Sequence, residues 1–403
     1  MSANLLKKIK RGLLVAFKFP LFVLAIPFVL VMRLMRPFLL VRIGALRSDR
    51  IGHFAANTEL YLCERDAGIN VPNQRYIDIF YMLKPISNEQ LAKMWRRILI
   101  VWPAWILLPI ARLNRLLPNA KVHEISTTHG RDVYNLYDRF PAHLRFTIEE
   151  EAIGQAELLE IGVPKGAPYV CLNVRDSAYL YWAKDLAYRD SKIKDYVLVA
   201  EELANRGHFI IRMGAKVHEA IKITHPRVID YATNGMRSDF MDIYLGAKCH
   251  FAISTGTGWD SIPEIYRRPI VYVNFVPLGY LPGFRHQTIS IVKHHFSLSK
   301  NRKLSFSEIF AEGVGFCLQT SDYDSKRVQL FDNTAEEIRD VAIEMDDRLN
   351  GTWLSHKDDE VLQKRFWEIF PVDAVNSEGT SLHGEILARF GASFLRNNRS
   401  WLQ

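Results

Sequence analysis

Four apolar runs in the second half of the chain leave little freedom of architecture. "PYVCLNVRD" (Pro168–Asp176), "HFIIRMG" (His208–Gly214), "CHFAIS" (Cys249–Ser254) and "IVYVNF" (Ile270–Phe275) are nearly unbroken in their apolar character. A strand wetted on one face alternates polar with apolar residues, whereas a strand covered on both faces does not need to. Helical patterns separate the runs: "YVLVAEELANRG" (Tyr196–Gly207), "SDFMDIYLGAK" (Ser238–Lys248) and "GWDSIPEIYRRP" (Gly258–Pro269), with "RVIDYA" (Arg227–Ala232) as a further strand. Buried strands alternating with helices predict a parallel sheet with helices on both sides, a Rossmann-like α/β domain.

The first half repeats the alternation less clearly. "FLLVRIG" (Phe38–Gly44) and "RYIDIFYML" (Arg75–Leu83) read as strands. "ALRSDRIGHFAANTELYLCERD" has helical spacing, and "SNEQLAKMWRRIL" opens with a capping Ser87 or Asn88. "EEEAIGQAELLEIGVP" (Glu149–Pro164) is a charged helix stopped by Gly162 and Pro164, and the "KGAP" after it suits a domain boundary. The expected division is therefore a basic, apolar segment over 1–37, a Rossmann-like domain over 38–164, a second over 165–350, and C-terminal helices over 351–403. The last of these include "HGEILARFGASFLRN" and are expected to pack back on the first domain.

Charge narrows the partners. Lys and Arg number 52 against 44 Asp and Glu, a net charge of +8 that suits an anionic surface or ligand. No helix-turn-helix, zinc-finger or RNP-like pattern accompanies it, so nucleic acid is not the expected partner. The four cysteines (Cys63, Cys171, Cys249 and Cys317) lie far apart without a CxxC, which fits a reducing compartment and no zinc site. Basic residues crowd the N-terminus (Lys7, Lys8, Lys10, Arg11, Lys18, then Arg33 and Arg36) around the uncharged "FPLFVLAIPFVLVM" (Phe19–Met32). No small-residue cleavage site follows, against a signal peptide. A spanning helix needs about 20 apolar residues, and Leu13–Met32 reaches that only by including Lys18. The expectation is a peripheral or monotopic anchor on an anionic leaflet, at the cytoplasmic face of the inner membrane, with a single span or an ordinary buried helix as the alternatives. "ILIVWPAWILLPIA" (Ile98–Ala111), with Trp95, Trp102 and Trp105 near arginines, reads either as an interfacial belt or as a core helix interrupted at Pro103.

Open parallel sheets bind ligands at the carboxyl ends of their strands. Three features fall there: Arg175 and Asp176, Arg212 and Gly214, and the turn Ser254, Thr255, Gly256, Thr257, Gly258 leading into a helix. Singly, these are a surface ion pair, another, and a tight connection. Together they are two guanidiniums and a nest of amides, which suits a diphosphate. Glu264 follows in the helix, either to hold sugar or ribose hydroxyls or simply as an exposed helical glutamate. The chain has neither GxxxxGK[ST] nor GxGxxG after a first strand, against an NTPase or a nicotinamide dehydrogenase. The anion expected is the leaving diphosphate of a nucleotide sugar.

Several blocks, in order, resemble a family of bacterial glycosyltransferases associated with surface-polysaccharide gene clusters: "RIGHFAANTELYL", "VCLNVRDSAYL", the "RD" of "YRDSKIKDY", "GHFIIRMG", "SDFMDIYLGAKCHFAISTGTG" and "EIYRRPIVYVNF". The likeness runs over roughly Val41–Asn350. It implies a GT-B-like fold, two Rossmann-like domains facing a cleft, with a nucleotide-sugar donor and a glycan or glycolipid acceptor. A more distant resemblance to fucosyltransferase-type donor domains implies an arginine on the diphosphate, here Arg175 or Arg212. The family often carries Arg-Asn where this chain has Arg189-Asp190, which leaves that pair without an assigned role. Such enzymes usually work without a metal, and the only "MDD" (Met345–Asp347) falls inside a helical pattern, so no metal and no cofactor are expected. A base would come from "RSDRIGHFAAN", with His53 as the candidate and Asp49 beside it, against the alternative of a structural histidine. A non-catalytic adaptor on the same scaffold, or an epimerase or phosphoryl-transfer enzyme on a similar frame, are the competing functions.

Overall fold

The computed structural model describes residues 20–127, 130–179 and 182–403. Lys7, Lys8, Lys10, Arg11, Lys18 and Phe19 of the expected anchor lie outside the described residues. By internal contacts the chain divides into Met1–Gly130 and Arg131–Gln403.

In the first unit a helix over 20–34 (α1) precedes β1 (Leu40–Leu46), α2 (Ile51–Asp66), β2 (Tyr76–Met82), α3 (Glu89–Arg96), α4 (Ala104–Asn114) and the short β3 (Glu124–Ile125). The three strands are parallel in the order β2-β1-β3. Register places Arg42 opposite Asp78, and the guanidinium grips that carboxylate with two bonds of 2.7 and 2.6 Å. Asn88 caps α3 by accepting from the Leu91 amide. Pro103 supplies the N-cap residue of α4, so the apolar stretch 98–111 divides into an edge segment and a helix. No helix among the described residues is long and apolar enough to cross a membrane.

The second unit is the larger. After α5 (Ile148–Glu160) come β4 (Tyr169–Asn173), α6 (Val197–Asn205), β5 (Phe209–Met213), β6 (Val228–Ile229), α7 (Asp239–Lys248), β7 (Phe251–Ser254), α8 (Ser261–Ile265), β8 (Ile270–Phe275) and β9 (Thr288–Val292). Then follow β10 (His294–Ser297), β11 (Arg302–Lys303), α9 (Phe306–Ala311), α10 (Thr320–Ser325), β12 (Val328–Phe331), α11 (Ala335–Leu349), α12 (Asp359–Ile369), β13 (Arg389–Phe390) and α13 (Ala392–Asn397). Seven strands form one parallel sheet, β13-β9-β8-β7-β4-β5-β6. β10, β11 and β12 make a small antiparallel sheet.

The unbroken apolar runs have the expected cause. Along β4, Val170 and Leu172 join a core with α6 and α11, while Tyr169 and Cys171 join a second core with α5 and α7. Both faces are dry. Two boundaries differ from expectation. The division falls at Gly130 rather than Pro164, because α5 packs in the second unit: Gly154 admits the Tyr244 ring, which a Cβ there would strike. The C-terminal residues also belong to that unit. Phe366, Phe390, Phe394 and Trp401 complete its core, and part of the expected final helix is β13, pairing with β9.

Candidate active site

The chain leaves β4 for β5 and β6 on one side, then returns as β7 on the other side of β4. The order reverses between β4 and β7, the position where open α/β sheets form a ligand crevice. Asn173 ends β4 and Ser254 ends β7, paired in register.

The turn after β7 is organised by one buried acid, Asp260. Its Oδ1 accepts from the Ser254 hydroxyl at 2.5 Å and the Thr257 hydroxyl at 3.0 Å, and its Oδ2 accepts from the Thr257 amide at 2.5 Å. Asn173 Nδ2 donates to Thr257 Oγ1 at 2.6 Å. Thr255 faces β4: its hydroxyl accepts from the Arg175 amide at 3.0 Å. Gly256 has φ +78°, and a Cβ there would sit 3.0 Å from the Phe275 ring. Glycine is therefore required for conformation and for space. The hydroxyls expected to face a ligand instead hold the turn, together with the Thr257 amide. The helix beyond is only five residues long, so its dipole adds little.

The positive charge comes from side chains. Arg189 closes a 3₁₀ turn (Lys184–Arg189) and donates through its guanidinium to the Gly256 carbonyl. Arg175, mostly buried, pairs with Asp190 at 3.3 Å. Lys293, also buried, donates to the Asp190 carbonyl at 2.6 Å and pairs with Asp332 at 2.9 Å. Burial and then the neighbouring Arg189 charge pull the Arg175 pKa below its ordinary value. Burial raises the pKa of Asp190, against the pull of Arg175 and Lys293. Arg189 Nε is buried without a hydrogen-bond partner, as are Arg175 Nε beside it and, away from the turn, Arg212 Nε; a buried donor of this kind calls for an explanation, and an anion at the turn would supply one. Arg175, Arg189 and Lys293 gather around Asp190 and Asp332, with Asp176 acting on Asp190 and Asp195 beside Asp332, and Arg189 is the cation that reaches the glycine turn.

The other expected residues fall elsewhere. Arg212, expected on the diphosphate, is fully buried in an ion pair with Asp230 at 3.2 Å and donates to the Glu219 carbonyl at 2.9 Å. Its Nη1 is taken by these partners, while its Nε is buried without one. Asp176 accepts from the Ala178 and His218 amides, both at 2.9 Å, and so shapes the loop after β4. Gly214, at φ +153°, leaves room for Val217. Gly258 belongs to the turn itself. Arg189, which sequence spacing left without a role, is the cation that touches the turn. Its place in the block "YRDSKIKDY" was the only signal for it.

Glu264 is not an exposed helical glutamate. It is buried among Arg131, Asp132, Asp260 and Arg285. Burial is the largest cause lifting its pKa to about 7, with Arg285 opposing and Asp260 assisting. The folded protein therefore holds this proton more tightly than the unfolded chain, whose carboxyl has the ordinary value of 4.5. The stabilisation this group gives is complete below that value and is lost as pH rises through about 7. Glu264→Gln is expected to melt close to the parent at pH 5 and above it at pH 8, by an amount up to about 3 kcal/mol. An identical difference at both pH values, by calorimetry, overturns this assignment.

In the first unit His53 lies in the first turn of α2, partly buried. Burial first and Arg47 second lower its pKa, with Asn57 pulling the other way. The imidazole is thus neutral near neutral pH, as a base must be. Asp49 pairs with Arg47 at 3.4 Å.

No protein-family model matches the chain, and no curated protein matches it. Among solved structures it is similar to the family 9 glycosyl transferase of Veillonella parvula: 13% identity over 77% of this chain and 97% of that one, TM-score 0.45. It is similar also to the ADP-heptose LPS heptosyltransferase II of E. coli, with 12% identity, 62% and 90% coverage and TM-score 0.39. A third is the E. coli heptosyltransferase WaaC with ADP-2-deoxy-2-fluoro heptose, at 13% identity, 68% and 98% coverage and TM-score 0.33.

Proposed function

We propose that the chain is a glycosyltransferase that moves a sugar from a nucleotide-sugar donor to a glycan or glycolipid acceptor at the cytoplasmic face of the inner membrane. The observation that carries this is the Arg189 guanidinium on the Gly256 carbonyl at the β4/β7 switch point, with the Arg175 guanidinium near enough to Arg189 to be repelled by it. The ordered sequence blocks support it. A departing nucleoside diphosphate gathers negative charge in the transition state, and fixed cations in a partly dry site stabilise that charge. Arg175, Arg189 and Lys293 take this role, and no metal is assigned one. His53 takes the proton of the acceptor hydroxyl.

UDP, GDP, ADP and CMP are to be added to the full chain while its melting is followed. The diphosphate of the true donor, at a hundred times its Kd, stabilises by about 2.7 kcal/mol. No shift with any nucleotide sinks the proposal and leaves the non-catalytic adaptor. With a donor in hand, His53→Ala is expected to lower kcat by roughly 10²-fold or more while leaving diphosphate affinity unchanged. Parental turnover in that variant removes the base.

A further inference from the structure

We infer that α1 and the start of α4 form one docking surface for an anionic lipid bilayer, with α1 lying in the plane of the interface. This goes beyond the proposed transfer reaction and stands without it. The helix over 20–34 ("PLFVLAIPFVLVMRL") is apolar almost all round, yet the protein covers only one stripe of it. Ala25, Val29 and Met32, spaced by four and three, are buried with Leu107, Ile110 and Ala111 of α4. Leu24, Phe28 and Leu34 remain 63%, 59% and 76% exposed. A helix apolar on every side belongs in an apolar surrounding, and among the described residues that surrounding lies on one side.

The rest of the surface follows from α4. Arg33 donates to Asn114 at 3.0 Å and to the Pro118 carbonyl at 2.9 Å, so the C-terminal ends of α1 and α4 meet. Trp102 and Trp105, at the other end of α4, are 46% and 65% exposed. Indole rings of this kind favour the head-group level of a bilayer. Arg36, Arg96, Arg112 and Lys121 are exposed in the same unit, and such cations favour anionic head groups.

The mode of contact is set by geometry. The buried stripe ties α1 to the protein along residues 25–32. Lipid can therefore meet the outer face but not surround the helix. A second copy of the chain is the poorer occupant, since it would bring two basic surfaces together.

The test is flotation of the full chain with phosphatidylcholine vesicles, with and without phosphatidylglycerol. The parent is expected to float with the anionic vesicles and to release as salt is raised. The pairs Leu24→Glu/Phe28→Glu and Trp102→Ala/Trp105→Ala are each expected to cut the bound fraction at least tenfold, with melting midpoints at the parental value because these side chains are exposed. Where the glutamate pair melts early, Leu24→Ser/Phe28→Ser carries the same expectation. Parental flotation by folded variants overturns the inference. So does a parent that ignores anionic vesicles, or a face substitution that converts a dimer to a monomer without changing flotation.

Discussion

Arg189→Ala is expected to lower affinity for a nucleoside diphosphate by roughly a hundredfold. A charge-assisted hydrogen bond contributes about 1.5–3 kcal/mol, and each 1.4 kcal/mol is a factor of ten. Arg189 is placed to make such a bond: one guanidinium nitrogen touches the Gly256 carbonyl, while Nε is buried and unmatched. The ligand-free protein offers a control that a structural arginine would fail. Arg189 lowers the pKa of Arg175 by repulsion, so removing it relieves a like-charge contact as well as breaking the bond to Gly256. The melting midpoint without ligand should hardly move, while the shift produced by the diphosphate collapses. Arg189→Lys keeps the charge but not the planar fork, and should fall between. Parental affinity in Arg189→Ala, measured calorimetrically, removes the phosphate role. A fall in stability equal to the fall in binding makes the residue structural.

What could be read from sequence and what could not follows the range of the interactions. The strands β4, β5, β7 and β8 were legible because burial on both faces is written into consecutive residues. The helix starts at Asn88 and Ser238 were legible because a capping side chain bonds an amide three residues on. Arg212 was misplaced because its partner Asp230 is 18 residues away on the far side of β6, and nothing local distinguishes a paired arginine from a free one. Arg189 was missed for the same reason, since its contact lies 67 residues downstream. Gly154 shows the limit at a boundary. A glycine within a helical pattern signals that something approaches closely, but not that Tyr244 does. β13 spans two residues, and no periodicity can be read from two.

Asp260→Ala is expected to be the most damaging single change at the site. The carboxylate takes bonds from the Ser254 hydroxyl, the Thr257 hydroxyl and the Thr257 amide, and all of this is buried or nearly so. Alanine leaves those donors without a partner, and a buried unpaired donor costs about 1–3 kcal/mol. Partial relaxation of the loop keeps the sum on the order of 3–5 kcal/mol, a large share of the 5–15 kcal/mol typical of a domain. A fall in melting midpoint of roughly 10 °C follows for a unit of this size. Asp260→Asn keeps the shape but can turn an amide NH₂ toward the Thr257 N–H, so it should lose part of the same stability. Binding should fail in both variants at temperatures where they are still folded. The reason is positional: Thr257 is tied to Asp260 on one side and Asn173 on the other, and Gly256, whose carbonyl holds Arg189, lies one residue before it. Cutting the Asp260 bonds therefore displaces the cation as well as the turn. Chemical denaturation of Asp260→Ala within about 1 kcal/mol of the parent, a change ordinary for a surface site, would show that the turn is held by something other than this carboxylate.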